Sequence, residues 1–139
     1  MEIAYYCDPA RQECPVDSFL KEKVESCPHL SQSSKDRIMA DLEGKIARSL
    51  ELNGQPDGHI TEPVKEYSFL KINQKKDENT LIRVFYCCYE DLMVLLYAFE
   101  KPRKYDGKKK EKRAESKHYQ KAQECYLQLK SDPDRHIIK

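Results

Sequence analysis

The sequence predicts an α+β domain, and three observations carry that prediction. A short run of strand formers opens the chain. Two segments with helical apolar spacing follow it, with no strand between them. Three consecutive extended runs then precede one last helical segment. Strands that meander together, with helices segregated from them, build α+β folds. At 139 residues the chain is expected to be one domain, residues 1–139, because domains usually span about 100–200 residues.

Each element has its own sequence signal. Glu2 to Cys7 is rich in strand formers, and Asp8-Pro9 ends it. Pro15 suits the first turn of a helix. Phe19, Leu20 and Val24 keep roughly helical spacing until about Cys27, where Pro28 stops it. Ser33 with Asp36 three residues later resembles a capping box. Ile38, Met39, Leu42, Ile46, Ala47 and Leu50 follow in steps of three and four, and Asn53-Gly54 is a good terminator.

Residues 55–63 are turn-rich, and the period then becomes extended. Val64 to Ile72 reads as a strand, with a polar loop through Asn79. Leu81–Tyr89 and Leu92–Phe99 are nearly continuous apolar runs joined by Glu90-Asp91. That pattern predicts an antiparallel hairpin of central strands, covered by helices on at least one face. Helical spacing returns from about Lys108 to Lys130, through Ala114, His118, Ala122, Cys125 and Leu129, and Asp132-Pro133 ends it. The last four residues read as a frayed end or a short edge strand.

Composition excludes several classes. With 39% hydrophobic residues the chain can build one modest core, and 35% charged residues keep its surface polar. No apolar run approaches the roughly 18–20 residues of a membrane helix. The first residues lack a basic segment followed by an apolar one, so no secretory signal is expected and a cytoplasmic protein is. A reducing compartment disfavours a disulfide framework among Cys7, Cys14, Cys27, Cys87, Cys88 and Cys125. Zinc on Cys7, Cys14, Cys27 and His29 is a sharper alternative, but gaps of six, twelve and one residues match no common zinc spacing.

The net charge of +1 hides an asymmetry. Residues 1–70 hold 8 Lys/Arg against 13 Asp/Glu; residues 71–139 hold 17 against 11. Eight basic residues fall between Lys101 and Arg113, with Asp106 and Glu111 as the acids and Tyr105 among them. A basic stripe with an aromatic can hold phosphates and stack a base; the bland reading is a solvated loop and helix start. Basic residues sit poorly at a helix N-terminus, which makes an anionic partner more attractive. Arg83 is the most informative single residue. A guanidinium inside a central strand must face solvent, pair with an acid or line a site. If the faces of the two strands coincide, Lys71 and Arg83 line one sheet surface.

These segments resemble a family. Ser68-Phe69-Leu70-Lys71-Ile72, Leu81-Ile82-Arg83-Val84-Phe85-Tyr86 and Val94-Leu95-Leu96-Tyr97-Ala98-Phe99-Glu100-Lys101 look like the core of RelE/ParE-superfamily toxins, nearest their HigB-like, phage-related branch. The match covers roughly residues 64–126. The resemblance implies a microbial-ribonuclease-like fold: a small twisted antiparallel sheet with two N-terminal helices and a C-terminal helix. It implies the toxin of a type II toxin–antitoxin pair, an mRNA endoribonuclease that acts with or without the ribosome and needs no metal or other cofactor. Its partners would be mRNA and a cognate antitoxin, typically a helix-turn-helix protein.

Carried over by position, the catalytic set is Lys71, Arg83 and Lys101. Arg103, Lys104, Tyr105, Lys108, Lys109 and Lys110 would bind RNA. The departures matter: Phe69 stands where the family usually has Glu, and Tyr97 and Ala98 replace His and Gly. Pro102 replaces a second lysine, for which Arg103 would compensate. His118, Tyr119 and His136 are the substitutes on offer for the missing acid–base pair. The alternatives are a ParE-like, non-catalytic toxin or binding module of the same fold, and a cysteine/zinc-organised adaptor.

Overall fold

In the computed structural model the structure describes residues 1–58, 61–104 and 107–139, without the side chains of Lys108, Lys109 and Glu111. Strand β1 (Glu2–Tyr6) leads into helix α1 (Pro15–Leu20), which continues as a π-helical turn through Glu25. Helix α2 (Gln32–Glu51) follows. Then come β2 (Thr61–Pro63), β3 (Leu70–Lys75), β4 (Thr80–Tyr89) and β5 (Leu92–Pro102). Helix α3 (Lys108–Ser131), the single turn α4 (Pro133–His136) and β6 (Ile137–Ile138) complete the chain.

The sheet is six-stranded, in the order β2-β3-β4-β5-β1-β6. It is mixed, which corrects the expected all-antiparallel sheet. β1 runs parallel to β5, pairing Glu2 with Leu92 through Tyr5 with Leu95. A parallel neighbour needs a long crossover, and here the whole α1–β4 segment supplies it. The remaining pairings are antiparallel.

Helices cover both faces. Val16, Val24, Ile38 and Leu42 from α1, its π-helical turn and α2 pack on Ile72, Ile82, Val84, Tyr86, Met93 and Leu95. On the opposite face Ala122 and Leu129 of α3 meet Phe69, Phe85, Val94, Leu96 and Phe99. Double coverage explains why β4 and β5 read as continuous apolar runs. Each large side chain buried this fully contributes about 1.5–3 kcal/mol, and Phe85, Tyr86, Ile82 and Leu96 are all fully covered.

Several boundaries differ from the sequence reading. The cap of α2 is Ser31, whose side chain accepts from the Ser34 backbone N–H at 3.1 Å, and not Ser33. Val64 to Phe69 is a turn, with Glu66 at φ +74° and Tyr67 N–H donating to the Val64 carbonyl at 3.1 Å. The strand expected there therefore begins at Leu70. The short edge strand β2 lies in the stretch read as turns. Cys7 and Cys14 form a disulfide, Cα atoms 4.2 Å apart, against the expectation of unpaired thiols. Among the described residues no three His, Cys, Asp or Glu side chains converge to hold a metal, so the four-ligand zinc set is not assembled.

Candidate functional site

The charged cluster under α3 is built by strand alternation and one bulge. Lys71 lies opposite Phe85, and Asn73 opposite Arg83. Side chains directly across a sheet share a face, so Lys71, Asn73, Arg83 and Phe85 all face α3. On β5 the register shifts between Phe85–Tyr97 and Tyr86–Leu95, which leaves Leu96 as the extra residue. The bulge turns Leu96 and Tyr97 to the same side, and Tyr97, Phe99 and Lys101 then follow on the α3 face. Without it Glu100 would stand there, since a one-residue slip exchanges the faces. Glu100 instead pairs with Lys76 on the other side.

Three of the predicted residues therefore share one sheet face. A residue outside the predicted set joins them: Glu115 of α3, which is 3% exposed. Its carboxylate accepts from Arg83 Nη1 at 2.5 Å and lies 3.6 Å from Lys101 Nζ. Arg83 also donates from Nε to Asn73 Oδ1 at 2.9 Å and from Nη1 to the Tyr119 hydroxyl at 3.0 Å. Its guanidinium stands 5.9 Å from the centre of the Phe99 ring. Arg83 and Lys101 are each 6% exposed. Lys71 is nearer solvent and lies 3.8 Å from Glu62 on β2. Desolvation, then the Arg83 charge, lowers the Lys71 pKa.

Aromatic rings wall the cluster. Phe85 packs against Phe69, Phe99 and Tyr119. His118 stacks on Phe99 with ring centres 4.2 Å apart, and its Nδ1 lies 2.9 Å from the Tyr97 hydroxyl. Burial, then Lys117 and Lys121, pushes His118 down to about 4. The imidazole is thus neutral near pH 7, and its Nδ1 shares a hydrogen bond with the Tyr97 hydroxyl.

The chain matches no family model, no curated protein and no solved structure.

The predicted RNA-binding residues divide. Arg103 and Lys104 are exposed and line a hollow of about 420 Å³ with Glu78, Asn79 and Pro102. Arg103 is tied to the β3–β4 turn: its N–H donates to the Asn79 carbonyl at 2.9 Å and its Nη1 to the Glu78 carbonyl at 3.2 Å. Lys110 is exposed on the first turn of α3. Tyr105, and the side chains of Lys108 and Lys109, lie outside the described residues. His136 is not part of the cluster; it stacks on Tyr6 and bonds the Cys7 carbonyl through Nδ1 at 3.1 Å. A separate cleft of about 670 Å³, lined by Tyr6, Asp8, Phe19, Tyr97 and Glu124 among others, contains none of Lys71, Arg83 and Lys101.

Proposed function

We propose that the chain is the toxin of a type II toxin–antitoxin pair, of the RelE/ParE superfamily and HigB-like in kind, and that it cuts mRNA. One observation carries the reading: the β5 bulge gathers Lys101 onto the sheet face of Arg83 and Lys71. In the reaction an RNA 2′-hydroxyl attacks the adjacent phosphorus. The 2′-O–P bond forms, the bond to the 5′-oxygen breaks, and a 2′,3′-cyclic phosphate remains. The 2′-hydroxyl gives up its proton to solvent water, and the leaving oxygen takes one from the enzyme. Arg83 holds the scissile phosphate with the fork geometry suited to it, and Lys101 stabilises the charge that develops on its oxygens. Lys71, its ammonium acidified by desolvation, protonates the leaving oxygen. Acid–base help of this kind contributes about 10²–10⁴-fold.

Arg103, Lys104 and the basic start of α3 hold the flanking strand. The proposal places the protein in the cytoplasm with mRNA, with or without the ribosome. An antitoxin with an acidic segment that folds on binding would cover the same basic surface.

A second reading is favoured by the burial of Arg83 beneath Glu115 and Tyr119: a non-catalytic, ParE-like toxin or binding module. Induced expression in bacteria, wild type beside Arg83→Met, separates the two. Growth arrest with cleaved mRNA, both lost in the variant, supports the nuclease. Arrest with intact mRNA supports the binding module.

A further inference from the structure

We infer that the first turns of α3 are a hinged cover over the cationic cluster, and that Glu115 is an internal stand-in for a phosphodiester that RNA displaces. The inference rests on the reading of the cluster as a phosphate site, and it adds how that site is kept closed.

The first argument is chemical equivalence. Arg83 Nη1 and Lys101 Nζ both approach one Glu115 oxygen, at 2.5 and 3.6 Å. Carboxylate and phosphate oxygens accept from guanidinium and ammonium groups in the same charge-assisted way. Lys71, Arg83 and Lys101 face Glu115 and the half-exposed Glu62.

The second argument is how unevenly α3 is anchored. From Tyr119 onward the helix is held by apolar packing: Ala122 and Leu129 are fully buried, with Tyr119, Cys125 and Tyr126 against the same cluster. Before that point the described side chains of Lys110, Lys112, Arg113 and Ala114 are exposed. Among the described side chains, Glu115 is the first buried one of the helix. Among the described side chains, the first two turns bury no apolar residue, and Glu115 ties them to the sheet.

The third argument is the hinge. Gly107 precedes α3 at φ +142°, a conformation that side chains disfavour, and no side chain caps the helix. The sequence opens the helix with Lys108, Lys109 and Lys110, against the dipole. A helix end with few buried contacts opens at low free-energy cost. Opening carries Glu115 away from Arg83 and Lys101 and leaves the basic first turns beside an entering strand.

The test uses an uncleavable 2′-O-methyl decanucleotide, so binding is read apart from catalysis. Wild type, Glu115→Gln and Arg83→Met/Glu115→Gln are titrated at two salt concentrations. Glu115→Gln is expected to bind about tenfold tighter, an ordinary size for coupling between two states, with a steeper salt dependence. The double variant is expected to lose that gain. No gain in folded Glu115→Gln, or a gain that survives in the double variant, overturns the inference. Hydrogen exchange on the unaltered chain decides independently of folding in the variants. Amides 110–116 are expected to exchange faster than 120–129, and faster still on saturation with the probe. Uniform protection along α3, unchanged by the probe, overturns it. The expected binding without any cleavage of ordinary RNA would leave the cover standing and remove the nuclease chemistry.

Discussion

Removing either partner of the buried pair should have unequal effects, and the structure sets the order. Glu115 sits between two cations whose side chains are each 7% exposed. Glu115→Leu leaves both cations buried without it, the situation that typically costs about 3–5 kcal/mol. Arg83→Met leaves Glu115 beside Lys101. Its cost is the lost hydrogen bonds to Glu115, Asn73 and Tyr119, offset by the apolar packing of the Met side chain. We expect about 1–3 kcal/mol, within the range for hydrogen bonds to charged groups. Against a stability of about 5–15 kcal/mol, Arg83→Met should stay folded, which makes it the right variant for the growth assay. Urea unfolding followed by circular dichroism measures both. With a slope of about 2 kcal/mol per molar, the midpoint should fall by about 1 M for Arg83→Met and about 2 M for Glu115→Leu. An equal or greater loss for Arg83→Met would refute the charge argument. Shifts under about 0.3 M for both would place the pair among solvated surface ion pairs and refute its burial.

Three further outcomes follow. Gly54→Ala should lower stability by more than about 1 kcal/mol in thermal melts, because φ is +76° and a Cβ there would meet Cys88 Sγ at 2.3 Å. Replacing Cys7 and Cys14 together by Ser should lower stability by about 2 kcal/mol under oxidising conditions, the loop-closure value for so short a loop, and should change nothing once a dithiol is added to both proteins. His118 has a folded pKa of about 4 against an unfolded value near 6.5. The unfolded chain therefore binds the extra proton first, and stability falls as pH drops from about 6.5 toward 4; urea midpoints across that range should fall less in His118→Gln.

The local signals in the sequence were strong where one element reads itself. The three-and-four spacing of Ile38, Leu42 and Ile46 placed α2, and the apolar runs of β4 and β5 placed the hairpin. Non-local features were not legible. Nothing near β1 signals that its neighbour is β5, about ninety residues away. The bulge is hidden for a related reason: Val94 to Ala98 is apolar throughout, so no alternation marks the shift that decides where Lys101 points. Glu115 was missed because it lies in a basic stretch that reads as solvated. The periodicity did contain it: Glu115, Tyr119, Ala122 and Leu129 form a stripe in steps of three, four and seven, one residue out of phase with an expected start at Ala114, which is exposed.

The cluster also narrows the question of the general base. Phe69 is 1% exposed and stacks on Tyr67 and Phe85, so the position that offers a carboxylate in the resembled family is part of the apolar wall. His118 is neutral at pH 7, yet a base with a pKa near 4 holds a proton weakly, and its Nδ1 is already hydrogen-bonded with the Tyr97 hydroxyl. Catalytic bases work best with a pKa near the working pH. The carboxylate that touches Arg83 and Lys101 is Glu115, and under the proposed cover it stands in for a phosphate. Opening α3 would move it from between Arg83 and Lys101 while keeping it tethered four residues from the Tyr119 anchor. Under the cover proposed above, Glu115→Gln should tighten binding of the uncleavable RNA, and an unchanged affinity in the folded variant would refute it.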